Sequence, residues 1–174
     1  VAVSGTLGYS YAGLDLLEEG HVDPSARGVE QLGDLAPFVE TYRAPSPPLG
    51  SGVAAAAAGA RAMMDLSDGP ATDAARIAKA SGVVIEFDRP AIEEEAWRLQ
   101  VPALICRADP VRWVLQGGEE HGMLAVFPQD VRLPEGFRVL GRARSCESGE
   151  DPCAMFDGEV LRGAWDHFQA DSVD

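Results

Sequence analysis

The sequence holds one lysine, Lys79, in 174 residues and has no glycine-rich run ahead of it, which excludes phosphate binding by a P-loop. Basic side chains are scarce altogether: 14 Lys and Arg against 28 Asp and Glu leave a formal charge of −14. A surface of that sign repels polyanions, so neither nucleic acid nor an anionic membrane is an expected partner. A small anionic ligand stays open where divalent cations or helix N-terminal amides neutralise it locally. Cysteine is limited to Cys106, Cys146 and Cys153, an odd count that suits a reducing compartment. Cys146 and Cys153 flank an acidic turn without a second pair of ligands, so no zinc site is expected there. No apolar run approaches the roughly 18 residues of a membrane span, and no basic-then-apolar leader is visible, so a cytoplasmic location is expected. A Gly-x-Ser-x-Gly elbow is missing too, and His21, His121 and His167 stand in contexts unlike a nucleophilic triad.

What is present fits one soluble globular domain, with 46% hydrophobic and 24% charged residues. The chain opens in mid-strand at Val1-Ala2-Val3, as if cut from a longer protein. A Gly-bearing loop, 4–10, leads into a helix to about Glu19, with Leu14, Leu16 and Leu17 on its apolar face. One further helix is expected over 25–41, after which Pro45-Ser46-Pro47-Pro48 breaks regular structure as an internal connection. A small-residue helix, 51–59, precedes a strand at 61–64. The next helix, 71–80, carries its alanines on one face and ends at Gly82. Strands follow at 83–87, 121–127 and 137–143, with helices at 92–99 and from Asp109-Pro110 to Gly117-Gly118, and Asp157-Gly158 marks a hairpin. Because the elements do not alternate strictly, the expected class is α+β, a mixed sheet covered by helices.

The strongest chemical feature is Asp65-Leu66-Ser67-Asp68-Gly69, where a strand ends and a helix begins. Two carboxylates and a hydroxyl converge there with backbone amides, which suits Mg²⁺ and phosphate. Taken alone, the same pattern also describes an ordinary helix cap beside an exposed aspartate, the commoner case. Gly117-Gly118-Glu119-Glu120-His121 is a second candidate, since paired glycines permit a tight turn that presents Glu119 to a cleft; on spacing alone a helix stop followed by solvated acids is the better reading, and His121 reads as structural. Ser4-Gly5-Thr6-Leu7-Gly8 is a weaker candidate phosphate loop. The tail Trp165-Asp166-His167-Phe168 offers rings for stacking on a flat heterocycle, or for docking the terminus.

Together these pieces resemble the C-terminal half of the thiamine-monophosphate kinase family, within the superfamily of aminoimidazole-ribonucleotide synthetase. The resemblance rests on Val-Ser-Gly-Thr-Leu-Gly at 3–8 with Ala12-Gly13-Leu14, on Pro45 to Pro48 and on Ala62-Met63-Met64-Asp65-Leu66-Ser67-Asp68-Gly69. It continues through Arg112-Trp113-Val114-Leu115, Gly117-Gly118-Glu119 and Trp165-Asp166-His167-Phe168, all in family order. It implies ATP-dependent phosphorylation of thiamine monophosphate to thiamine diphosphate, in line and with Mg²⁺, and no covalent phosphoenzyme. By the same resemblance Asp65 and Asp68 are metal ligands, Ser67 contacts ATP, and Glu119 and Trp165 face the substrate. No general base is implied, because the accepting phosphate is already ionised and positioning with charge neutralisation can carry the step. Residues 1–174 are then the C-terminal domain, lacking the ATP- and metal-binding N-terminal half, and are expected to fold without turning over; the complete enzyme is expected to be a homodimer. The sequence departs from the family at Pro70, at Glu120 in place of an aspartate, which lengthens a carboxylate arm beside the substrate residue, and at Ala164 between Gly163 and Trp165. Glu120 also keeps open a non-catalytic ligand-binding module, and another ATP-dependent enzyme of the superfamily is the alternative among catalysts.

The assignment of Trp165 yields a kinetic expectation. An indole face against a cationic thiazolium contributes on the order of 1 kcal/mol or more when partly desolvated. Trp165→Ala in the complete enzyme should raise KM for thiamine monophosphate about tenfold and leave KM for ATP in place, since 1.4 kcal/mol is a factor of ten. Steady-state kinetics with each substrate varied in turn checks this, and an equal loss for both would make Trp165 a packing residue.

Overall fold

The computed structural model describes residues 1–161. Trp165, Asp166, His167, Phe168 and the Ala164 position lie outside the described residues. In chain order the elements begin with β1 (Ala2–Ser4), α1 (Tyr9–Glu18), α2 (Gly28–Leu32), α3 (Ala36–Arg43), α4 (Ser51–Ala57), β2 (Ala62–Leu66), α5 (Pro70–Ser81) and β3 (Val83–Phe87). They continue with α6 (Arg89–Trp97), α7 (Gln100–Cys106), α8 (Pro110–Gln116), β4 (Gly122–Val126), β5 (Arg138–Val139), β6 (Gly141–Ser145), β7 (Ala154–Phe156) and β8 (Glu159–Val160).

The expected α+β class holds, and the strands divide between two four-stranded sheets. The first runs β2-β4-β1-β5 with every pair antiparallel, and the second runs β6-β3-β7-β8 with a parallel β3–β7 pair. The single strand expected over 137–143 is what joins them. It passes from the first sheet to the second at Leu140, whose amide donates to the Val1 carbonyl at 3.0 Å and whose carbonyl accepts from Asp88 at 2.8 Å. Gly141 makes the crossing possible, because a Cβ there would stand 2.0 Å from the Glu86 carbonyl oxygen.

Between the sheets lies α5. Its alanines Ala71, Ala74 and Ala78 and Ile77 are buried, so a face of methyl groups lets the helix approach strands of both sheets closely. Gly82 closes it in the left-handed conformation at φ 64°, as its position predicts. On the far flank α1 packs on α3, and Gly13 permits the contact: a Cβ there would meet the Phe38 carbonyl at 2.3 Å. Tyr9 adds an aromatic contact to Phe38, with ring centroids 4.8 Å apart.

Three elements differ from expectation for local reasons. The helix expected over 25–41 is broken into α2, a 3-10 turn at Gly33–Leu35 and α3, because Gly33 takes φ 55° and Pro37 starts a new helix. Strand β2 extends to Leu66, so Asp65 is a strand residue paired with Met123. Helix α7 was not expected; Pro102 falls in its first turn, where a missing amide costs nothing. Pro48 packs 3.4 Å from the position a Gly5 Cβ would take, so the largely exposed proline segment lies against the loop after β1.

Gly141→Ala should be the costliest glycine substitution outside the candidate site. Its methyl cannot be accommodated without moving the β3 backbone, and we expect a loss of about 3 kcal/mol, read as a lower urea midpoint at unchanged m-value.

Candidate active site

Two loops and a helix start meet at one edge of the first sheet. Strand β2 delivers Asp65, the next residues turn at Gly69 with φ 89°, and Pro70 opens α5. From the other side α8 ends at Gln116, and 117–121 lead into β4. The two loops are joined by main chain: the Glu119 amide donates to the Ser67 carbonyl at 3.0 Å and the His121 amide to the Leu66 carbonyl at 3.2 Å. Side chains are excluded at this seam. A Cβ on Gly118 would stand 2.1 Å from the Ser67 oxygen, and one on Gly69 would stand 2.6 Å from the Gly117 oxygen. This explains why both loops carry glycine where the sequence suggested chemistry.

The seam brings Asp65, Ser67, Glu119 and His121 together. Glu119 and His121 hold left-handed backbone, φ 70° and 52°, which costs non-glycine residues on the order of 1–2 kcal/mol each. The result is an exposed row in which His121 Nδ1 lies 3.4 Å from Asp65 Oδ2 and its Nε2 lies 3.9 Å from Glu119 Oε2. His121 is thus exposed beside these carboxylates and not part of the core. Two solvent-facing carboxylates are hard donors of the kind that an oxygen-seeking cation such as Mg²⁺ takes, but they flank opposite nitrogens of the imidazole and do not converge on one ion position as they stand.

Asp68 has a different setting. Its carboxylate is ion-paired with Arg76, which also binds Asp73 at 2.6 Å, and its amide donates to Asp73 Oδ2 at 3.1 Å. Asp73 is fully buried, and burial raises its carboxyl above the usual range in spite of these two donors. Nothing in the sequence marked Asp73 or Arg76. The available signal was their spacing, an acid and a base three apart in the first turns of a helix that follows Ser-Asp-Gly.

Glu120 is the main correction. It does not lengthen an arm toward a substrate; it turns inward, buried, and accepts from the Ser10 amide at 2.8 Å and the Gly8 amide at 3.3 Å. The start of α1 is therefore occupied by a protein carboxylate, so the loop 4–8 does not offer those amides to a phosphate. A second buried acid braces the same loop: Glu95 holds Arg138 through contacts of 2.5 and 2.7 Å, and Arg138 donates to the Gly5 carbonyl at 2.8 Å. Neither role was legible, because Glu120 follows another glutamate and Arg138 lies in an unremarkable strand.

No protein-family model matches the chain. Its fold is shared at TM-score 0.54 with the hydrogenase maturation protein HypE, at 14% identity over 95% of this chain and 50% of that one. The nearer likeness is to thiamine-monophosphate kinases. That of Mycobacterium tuberculosis is 40% identical over 170 residues, 97% of this chain and 46% of the relative. That of Corynebacterium glutamicum is 40% identical over 138 residues, 79% and 39%. A structure of AaThiL complexed with AMPPCP and TMP aligns at TM-score 0.71 with 26% identity, over 96% of this chain and 50% of that one. By sequence and fold the chain is a homologue of the thiamine-monophosphate kinases, and it spans about half the length of the curated relatives it matches.

The Glu120 clamp carries a pH signature. Burial outweighs the donated amides and pushes its carboxyl up to about 7, from an ordinary 4.5. A raised folded value means that the bound proton stabilises the fold fully below pH 4.5, and that this contribution is lost as pH rises through about 7. Glu120→Gln, which keeps the neutral shape, removes the titration. Urea unfolding from acid to neutral pH should show the wild type losing up to about 3 kcal/mol relative to the variant. A constant difference across that range would mean that folding leaves the Glu120 carboxyl at its ordinary value.

Proposed function

We propose that this chain is the C-terminal half of an ATP-dependent kinase that phosphorylates thiamine monophosphate to thiamine diphosphate, with the Asp65–Glu119 edge facing the reacting phosphates. The observation that carries the proposal is the seam itself. It joins the strand end 65–68 to the Gly-Gly-Glu loop in a chain whose homologues bear that kinase name. The AaThiL complex with AMPPCP and TMP supports the substrate pair.

On this reading Mg²⁺, when bound, supplies charge neutralisation between two polyphosphates that otherwise repel. Asp65 is the freer ligand, exposed beside His121, whereas Asp68 reaches a cation by exchanging its Arg76 partner. The Ser67 hydroxyl contacts ATP while its carbonyl holds the seam. Glu119 faces the substrate, which also receives Trp165 from beyond the described residues. No side chain acts as general base; the carboxylates and the rigid seam orient the groups for in-line transfer. The same reading places the complete enzyme in the cytoplasm as a homodimer. No helix among the described residues is long and apolar enough to cross a membrane.

Asp65→Asn in the complete enzyme should lower turnover at limiting Mg²⁺ on the order of a hundredfold, with partial recovery as Mg²⁺ is raised. Asp68→Asn should lose less. Circular dichroism should be unchanged by the Asp65 substitution, since its carboxylate lies at an exposed strand position. Near-normal rates in both variants at limiting Mg²⁺ would reduce this loop to a structural strand-to-helix turn.

A further inference from the structure

At the other end of α1, about 15 Å along the helix from the seam at 1.5 Å per residue, three side chains of different elements converge. Helix α1 stops at Glu18, and Gly20, at φ 74°, reverses the chain. The His21 and Val22 amides then donate back to the Leu16 carbonyl at 3.0 and 3.1 Å. This folds His21 over the helix end, with Nε2 3.0 Å from Glu19 Oε2. Cys106, the last residue of α7, arrives from the opposite side, and its Sγ, a Glu19 oxygen and a His21 ring nitrogen all lie within 4.8 Å of one another.

The geometry points to a binding site for a borderline-soft divalent cation, Zn²⁺ in the first instance, formed by Glu19, His21 and Cys106. Sulfur, nitrogen and oxygen donors around zinc sit about 3.5 Å apart in a tetrahedron built on bonds of about 2.0 to 2.3 Å. The present spacing needs a closing movement of about 1 Å by that measure, and Glu19 and His21, both exposed, are free to make it. The surroundings ask for positive charge. Two helix C-termini, those of α1 and α7, point their negative ends here, neither has a basic residue in its last turn, and Asp15, Glu18 and Glu19 add carboxylates. Three protein ligands leave one position for water. A bound ion would staple α1 to α7 and would not touch the candidate active site, whose carboxylate donors prefer hard cations.

Titration of the 174-residue chain with Co²⁺, in a non-thiol reductant, tests the assignment. We expect a thiolate-to-cobalt charge-transfer band that saturates at one ion per chain, is displaced by Zn²⁺ and ignores Mg²⁺. Cys106→Ser should abolish it, and Cys146→Ser with Cys153→Ser should leave it intact. His21→Ala and Glu19→Gln, at exposed positions where folding is not at stake, should each weaken Co²⁺ about tenfold or more. Absence of the band in the wild type, its persistence in Cys106→Ser, or its indifference to His21→Ala would overturn the site. Asp65→Asn should not alter it, which separates this outcome from the fate of the kinase reading.

Discussion

The approach of two main chains with no side chain between them is the constraint on which the rest of this molecule rests. Gly69 and Gly118 let the loop after β2 lie against the loop after α8, and the Glu119-to-Ser67 hydrogen bond then fixes where the carboxylates stand. A seam of this kind tolerates no methyl group on either side. It also places Glu119 and His121 in left-handed backbone that the surrounding contacts must hold. The acidic edge is thus rigid through its backbone while its side chains remain exposed, which suits the ordering of multiply charged ligands.

Buried ionisable groups supply the second layer of order. Glu120 closes the start of α1, Glu95 with Arg138 fastens the Gly5 carbonyl, and Asp73 with Arg76 fastens the turn at Asp68. Each buried acid meets backbone amides or a guanidinium, as burial of charge requires. In a protein of net charge −14, inward-facing acids paired in this way also relieve the surface of some of its self-repulsion.

Legibility from sequence followed the range of the interactions. The strand-to-helix turn at Asp65–Gly69, the Gly82 cap and the Asp157-Gly158 hairpin are local signals, and they lie where short-range chemistry puts them. The bond from Glu120 to α1 spans 110 residues, and that from Arg138 to Gly5 spans 133. No periodicity or motif encodes such pairs. Glu119 and Glu120 are identical neighbours whose opposite fates, one in solvent and one buried, depend on a backbone twist visible only in three dimensions. His121 shows the same dependence: it precedes an apolar strand, but it takes a left-handed conformation and lies exposed.

The continuous run from β5 to β6 has a consequence for how this protein can change length. Side chains on a strand alternate between faces, so one inserted or deleted residue between 138 and 145 would turn one sheet inside out relative to the other. Leu140 would leave the core, or Gly141 would leave the point where only a hydrogen atom fits beside Glu86. The segments on either side, 127–137 and 146–153, lie in irregular structure and do not carry this restriction. Length variation among related chains should therefore gather in those two loops and stop abruptly at the strand that both sheets share.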